Sequence, residues 1–364
     1  MKQINIQILL IILGICLPGI LVGVYGQIGG RHVYDFMNLT PSARVLALGG
    51  VNVSTIDDDL NMAVQNPALL NPAMHHRVSL SFSNYLAGIR YGYAGYSRTF
   101  KGIGSFHSGL HYVNSGEMQG ADEFGNLTGT FSASELLWIL GYSRAWKQFR
   151  YGSNLKVISS TLAPGFTSAG LALDLSGSFQ SKNELFSAGL VLRNLGTQLT
   201  TYTNTGGREP LPFEIIAGVS NKLKYMPLRF SITLTNLEHP NLIYEDPNAV
   251  PQIDLGGNVI PTRNQLPDKI FRHFVFSTEF LLGKFLRLRA GYNHLRRQEL
   301  RSVNRGGLTG FSLGAGIRAS KIAFDYGFSS YGISNAFQTH QFSLSIDLKS
   351  SKKGASKPDS PSKD

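Results

Sequence analysis

Few residues in this chain are spaced for chemistry. Gly310-Phe311-Ser312-Leu313-Gly314 fits the G-x-S-x-G pattern of a hydrolase nucleophile. That pattern works only where a strand turns sharply into a helix. Here Phe311, Leu313 and Ala315 share one face of a predicted strand and no helical pattern follows, so chance in a glycine-rich strand accounts for the match. His75 and His76 are adjacent imidazoles, but neighbours on a strand point to opposite faces, so they read as a loop pair and not as metal ligands. Arg272-His273 with Glu279 lacks a third partner. Asp122-Glu123-Phe124-Gly125-Asn126 is a loop of weak cation-site character that departs from the EF-hand pattern. Asp57-Asp58-Asp59 reads as an acidic cap on a short helix, Leu60-Asn61-Met62-Ala63-Val64, ended before Pro67, in preference to a cation site. No Walker loop, dinucleotide fingerprint or zinc spacing is present. The expectation is a chain without catalytic residues, cofactor or metal: not an enzyme.

The elements that would carry any function are strands. Fourteen segments alternate apolar and polar residues with period two, at 78–86, 89–99, 104–113, 136–145, 150–160, 168–180, 185–194, 212–223, 228–237, 273–281, 285–293, 310–318, 321–330 and 340–348. The connections between them alternate in length. Tight ones fall at 101–103, 146–149, 181–184, 224–227, 282–284 and 319–320. Longer ones, rich in Gly, Asn, Thr and Pro, fall at 114–135, 161–167, 196–211, 238–272, 294–309 and 332–339. The turn at Ala87-Gly88 breaks the pattern, being short on the long-loop side. Loops sorted in this way predict an all-β fold, a 14-stranded antiparallel transmembrane β-barrel with short turns at one end and long loops at the other. A soluble sandwich or propeller gives no reason for the sorting. An even strand number puts both termini on the short-turn side, which would be periplasmic.

Charged side chains fix the register. Asp174, Arg229, Arg287, Arg289, Asp325 and Asp347 all fall opposite the apolar face of their strands, as do Lys156, Arg193, Glu279 and Arg318. A Lys or Arg facing lipid at mid-membrane costs about 2–4 kcal/mol, so a one-residue slip in such a strand is heavily penalised. Arg144 is the misfit, sharing parity with Trp138, Leu140 and Tyr142; beside a tight turn it can snorkel to headgroups.

Composition supports an envelope protein. Residues 1–26 read as a signal peptide: Lys2, an apolar core at Ile8–Ile15, and Val24-Tyr25-Gly26 as a small-residue cleavage site. The only cysteine, Cys16, lies within it, and bulky Ile15 argues against a lipoprotein signal. No later window is apolar enough for a spanning helix. The net charge of +11 comes from scattered Lys and Arg with no compact basic patch, which argues against nucleic acid. Residues 27–77, punctuated by Pro41, Gly49-Gly50 and Asn66-Pro67, read as a small N-terminal hatch, residues 78–348 as the barrel, and 349–364 as a disordered polar tail.

Particular residues then resemble a family. Gly29-Gly30-Arg31-His32-Val33-Tyr34-Asp35-Phe36, the stretch from Ser42 and Arg44 to Gly49-Gly50, and Asn66-Pro67-Ala68-Leu69-Leu70 resemble the PorV/PorQ family of the type IX secretion system. Asn84-Tyr85-Leu86-Ala87-Gly88-Ile89, Asn194-Leu195-Gly196-Thr197-Gln198, Arg208-Glu209-Pro210-Leu211-Pro212-Phe213 and Gly291-Tyr292-Asn293 narrow the likeness to its PorQ branch. The S-A-R…L-G-G…N-P-A spacing alone is similar to FadL fatty-acid transporters more broadly. The resemblance implies an outer-membrane barrel with an N-terminal hatch, in which Ser42, Arg44, Gly49, Gly50, Asn66 and Pro67 have structural roles. It also implies partners similar to PorV, the PorU sortase and the surface protein PorZ, in an attachment complex that fixes secreted cargo to the cell surface. The barrel would anchor and dock, with outer-membrane lipid or lipopolysaccharide around it. The long loop would bind the partner through Tyr244, Asp246, Pro247 and Asp254. The alternative is a FadL-like transporter of hydrophobic small molecules, against which the charged inward residues weigh.

Overall fold

The computed structural model describes residues 32–203, 207–243, 266–300, 307–331 and 338–349. The expected signal peptide, most of the polar tail, and Tyr244, Asp246, Pro247 and Asp254 lie outside them. The strands are β1 (Arg77–Asn84), β2 (Arg90–Phe100), β3 (Gly104–Asn114), β4 (Met118–Ala121), β5 (Leu127–Phe131), β6 (Ser134–Trp146), β7 (Phe149–Ala163) and β8 (Phe166–Gln180). They continue as β9 (Phe186–Thr200), β10 (Glu214–Lys222), β11 (Leu228–Leu234), β12 (Phe274–Leu282), β13 (Leu286–Asn293), β14 (Phe311–Ala319), β15 (Ile322–Ser330) and β16 (Gln338–Asp347). All except β4 and β5 form one closed antiparallel barrel of 14 strands. It closes where β1 pairs with β16, from Arg77 opposite Asp347 to Asn84 opposite His340.

Each predicted strand is present, with ends shifted by a few residues. Three long-side connections differ from expectation, the first being 196–211, whose start through Thr200 continues β9 and pairs with β8. The 161–167 stretch is not a loop: β7 and β8 zip up to Ala163 opposite Phe166, leaving only Pro164-Gly165 at the turn. The 114–135 stretch carries the extra hairpin β4–β5. The period-two pattern there is too short and too polar to mark strands in advance.

Alternation sorts the wall as the charges require. Trp138, Phe230, Leu288, Phe324 and Phe342 are exposed on the outer face, whereas Lys156 and Asp174 are 2% and 1% exposed within. Arg144 stays on the outside near the β6–β7 turn. Near it, Phe106 meets Phe100 edge-on at 5.7 Å and Tyr142 at a tilt at 5.0 Å, and Phe149 meets Phe179 at 5.2 Å. This is an aromatic girdle at the short-turn end.

The residues before β1 fill the lumen and correct the expected location of the chain start. Helices α1 (Ala43–Ala47) and α2 (Asn61–Gln65), with 3-10 turns, make up this hatch. Val33 donates to the carbonyl of Pro210, and Tyr34 packs 6.3 Å from Tyr202, so the described chain begins at the long-loop mouth. It then descends, doubles back near Gly49, crosses the lumen and leaves at the short-turn end, where Ser97 bonds Met74. Strand parity dictates only where β1 begins and β16 ends; the hatch threads the barrel lengthwise.

Candidate functional site

The hatch is held by an ion-pair net that joins it to the wall. Arg44, on α1, is almost wholly buried. Its Nε donates to Glu279 Oε1 at 2.9 Å, Nη2 to Asp57 Oδ2 at 2.7 Å, and Nη1 to Asp59 Oδ2 at 3.2 Å. Arg229 reaches both Asp57 (3.2 Å) and Glu279 (2.8 Å), and Arg289 bridges Glu279 (3.0 Å) to Asp325 (2.6 Å). Asp58 pairs with Arg318 at 2.7 Å and Arg77 at 3.0 Å. Burial opposes the charge of Asp57, yet Arg44 and Arg229 hold its carboxyl well below the usual carboxylate range. Burial likewise opposes the charge of Arg44, yet Asp57, Glu279 and Asp59 keep it protonated well above its ordinary value. Asp59 is raised, because burial outweighs its share of Arg44.

The three aspartates therefore do something neither sequence reading foresaw. Asp59 does bond the Asn61 amide through Oδ1 (3.1 Å), but their main role is as counter-ions for arginines of the lumen. Among the described residues no group of His, Cys, Asp and Glu is arranged to hold a metal. Asp122 closes the β4–β5 turn by accepting from the amides of Phe124 (2.9 Å) and Asn126 (2.8 Å). His75 and His76 do not diverge as strand neighbours would. They sit on a turn with rings 4.1 Å apart, because His76 adopts φ 55°, and they bond Thr99 and Tyr96. Arg272 pairs with Asp268 and His273 bonds the Thr235 carbonyl, both apart from Glu279. Ser312 donates to Ser329 inside the wall, with no base beside it.

A second polar cluster lies on the opposite wall. Lys156 meets Asp174 at 2.8 Å and Asn194 Oδ1 at 2.7 Å. A bulge creates it: Leu173 pairs with Leu195 but Leu175 with Leu192, so Arg193 and Asn194 both face Asp174 and both turn inward. Arg193 then donates to Gln65 of the hatch at 3.0 Å. Wall hydroxyls serve the hatch backbone: Ser343 accepts from the Ala43 amide, Ser176 accepts from the Ala68 amide, and Ser81 donates to the Pro41 carbonyl. Serine at inward positions is a second readable sign of a filled lumen, beside the inward charges that already favour a plugged scaffold.

The motif residues expected to be structural occupy separate places in the hatch. Ser42 caps α1 by accepting from the Val45 amide at 3.3 Å. Asn66 Nδ2 donates to Val53 O at 2.6 Å while its Oδ1 accepts from Ala68, ahead of the turn that Pro67 opens. Gly49 and Gly50 turn the chain at φ 94° and 95°, a region glycine enters without penalty; a Cβ on Gly49 would lie 2.6 Å from Val275. Toward the long-loop mouth the filling is apolar instead: Val33, Tyr34, Phe36 and Met37 pack with Tyr91, Val113, Leu137 and Ile158.

The sequence matches no protein-family model and no curated protein. Among solved structures, the toluene transporter TodX of Pseudomonas putida is similar over 86% of this chain and 100% of that one, at 13% identity and a TM-score of 0.51. A Pseudomonas aeruginosa FadL homologue aligns with 88% of this chain and all of its own, at 10% identity and a TM-score of 0.49. The CymD monoaromatic hydrocarbon channel aligns over 86% and 97%, at 14% and 0.44. Fold and filling together define a class: a plugged, fourteen-strand transmembrane β-barrel. The likeness to TodX extends to the fold and no further.

Proposed function

We propose that the chain is an outer-membrane anchor in the type IX secretion system, a docking platform in the complex that attaches secreted cargo to the cell surface, and that it is not itself a catalyst. One observation carries the reading: the hatch runs from the long-loop mouth, where Val33 bonds Pro210, to the short-turn end, where Met74 bonds Ser97, and is fixed between them through the buried Arg44 net. A conduit needs a path, whereas an anchor needs a rigid body and long loops at one end. The secretion assignment itself rests on the sequence resemblance; the solved neighbours lend it nothing. Affinity purification from native outer membrane, without cross-linker, tests it. Recovery of a sortase and a second barrel, PorU- and PorV-like with a PorZ-like surface protein, is the expected outcome; recovery of the barrel alone rejects it. Deletion of residues 238–272 should release the surface partner while the barrel stays inserted, and partner retention on such cells would reject that loop, with Tyr244, Asp246, Pro247 and Asp254, as the docking element.

The second reading, a FadL-like transporter of hydrophobic small molecules, is the one the named structural neighbours favour. Its support within this molecule is the apolar cluster at the long-loop mouth, where Phe36 and Met37 lie in surroundings that suit a hydrophobic ligand. A bound acyl chain or aromatic molecule displacing residues 33–37 in the purified barrel would favour transport over anchoring.

A further inference from the structure

Outside the lumen net, one concavity combines apolar walls with unpaired positive charge. It is a cleft of about 590 Å³ at the short-turn rim, between the hatch and the ends of β2, β3, β6 and β7. Leu70 of the hatch and Phe100 and Ile103 of the β2–β3 turn form its apolar side. Lys101, Arg144 and Arg150 line the same space. None of these three has an ion pair or side-chain hydrogen bond among the described residues, whereas Arg44, Arg77, Arg229, Arg289 and Arg318 in the lumen all pair with carboxylates.

Position narrows the occupant. Phe100 belongs to the aromatic girdle through Phe106, and Ile103 is 56% exposed at the tip of the turn. The cleft therefore runs from the membrane boundary over the rim to the hatch. At that depth a bilayer presents headgroups. Guanidinium groups match phosphate oxygens with paired N–H donors, and a glycerol backbone with the first methylenes of an acyl chain suits the apolar side.

We propose that this rim cleft binds the phosphate headgroup of an anionic phospholipid from the leaflet bordering the short-turn end. This goes beyond the anchor reading and holds equally for a conduit, because it needs only a membrane-inserted barrel.

The test is native mass spectrometry of the full purified protein with palmitoyl-oleoyl-phosphatidylglycerol, and with phosphatidylcholine of the same chains. Wild type should retain phosphatidylglycerol preferentially. K101Q/R144Q/R150Q should lose about tenfold of that retention, as expected for removing charge-assisted phosphate contacts. R150Q alone should fall in between, and R208Q, a charge removed at the far end, should match wild type. Heat-modifiable gel migration verifies that each variant is folded, and R150Q carries the test if the triple variant is not. Equal retention by wild type and the cleft variants, or equal retention of the two lipids by wild type, overturns the proposal. Displacement of phosphatidylglycerol by an equal amount of oleate also overturns it, assigning the cleft to carboxylate amphiphiles.

Discussion

Arg44 is the residue on which the hatch turns. It touches three carboxylates, two from the hatch and one from β12, at an almost fully buried site. Removing one partner of a buried ion pair costs about 3–5 kcal/mol, because the remaining charges stay desolvated. Arg44→Met should therefore lower barrel stability by that order and expose residues 33–76 to protease, read by urea titration and limited digestion. An unchanged digestion pattern would mean the net does not hold the hatch. Acid should have a delayed effect. Asp57 is held below its ordinary value of 3.8, so its contribution is complete above that value and is lost as pH falls through the lower folded value. Asp59 acts in the opposite sense: its raised value makes its ionised form a cost near neutral pH, relieved on protonation. Protection of the hatch should hold from neutral pH to about pH 5 and disappear only well below the ordinary carboxylate range. Loss of protection already near pH 6 would contradict this assignment.

At the scale of elements, the wall is shaped to receive the hatch. A Cβ on Gly152 would lie 2.6 Å from the Ala68 amide nitrogen, so β7 and the Pro67 turn approach backbone to backbone. Gly152→Val should unseat that turn while leaving the strands paired, seen as new cleavage near residues 67–70 with unaltered heat-modifiable migration. Intact protection would show that the close approach is dispensable. The strands were legible because Asp174, Arg229, Arg289 and Asp325 each forbid the shifted register in an apolar slab. The pairing of hatch to wall was not, because Arg44 and Glu279 are 235 residues apart and each fits several partners of opposite sign. The inward turn of both Arg193 and Asn194 was hidden for a different reason: a bulge breaks the period-two rule that sequence reading relies on. The β7–β8 turn was misjudged because Thr161 to Thr167 is polar enough for a loop, yet its backbone completes a ladder.

As a whole molecule, the chain is a barrel whose inside is protein. Deleting residues 33–74 should convert a closed barrel into a steady pore in planar bilayers, since a wall of this strand number encloses more space than its own side chains fill. Comparable conductance from wild type would mean that the hatch already leaves a path. A docking body needs the hatch as a permanent part, and locking it is the most direct measurement. Ser54 of the hatch and Ser220 of β10 have hydroxyls 2.6 Å apart, and the chain's only cysteine, Cys16, lies in the expected signal peptide. S54C/S220C, oxidised in native outer membranes and affinity-purified, should recover the same protein partners in the same yield as its reduced form. Loss of the partners on oxidation, or recovery of the reduced barrel alone with a hydrophobic molecule that the locked form lacks, would contradict it.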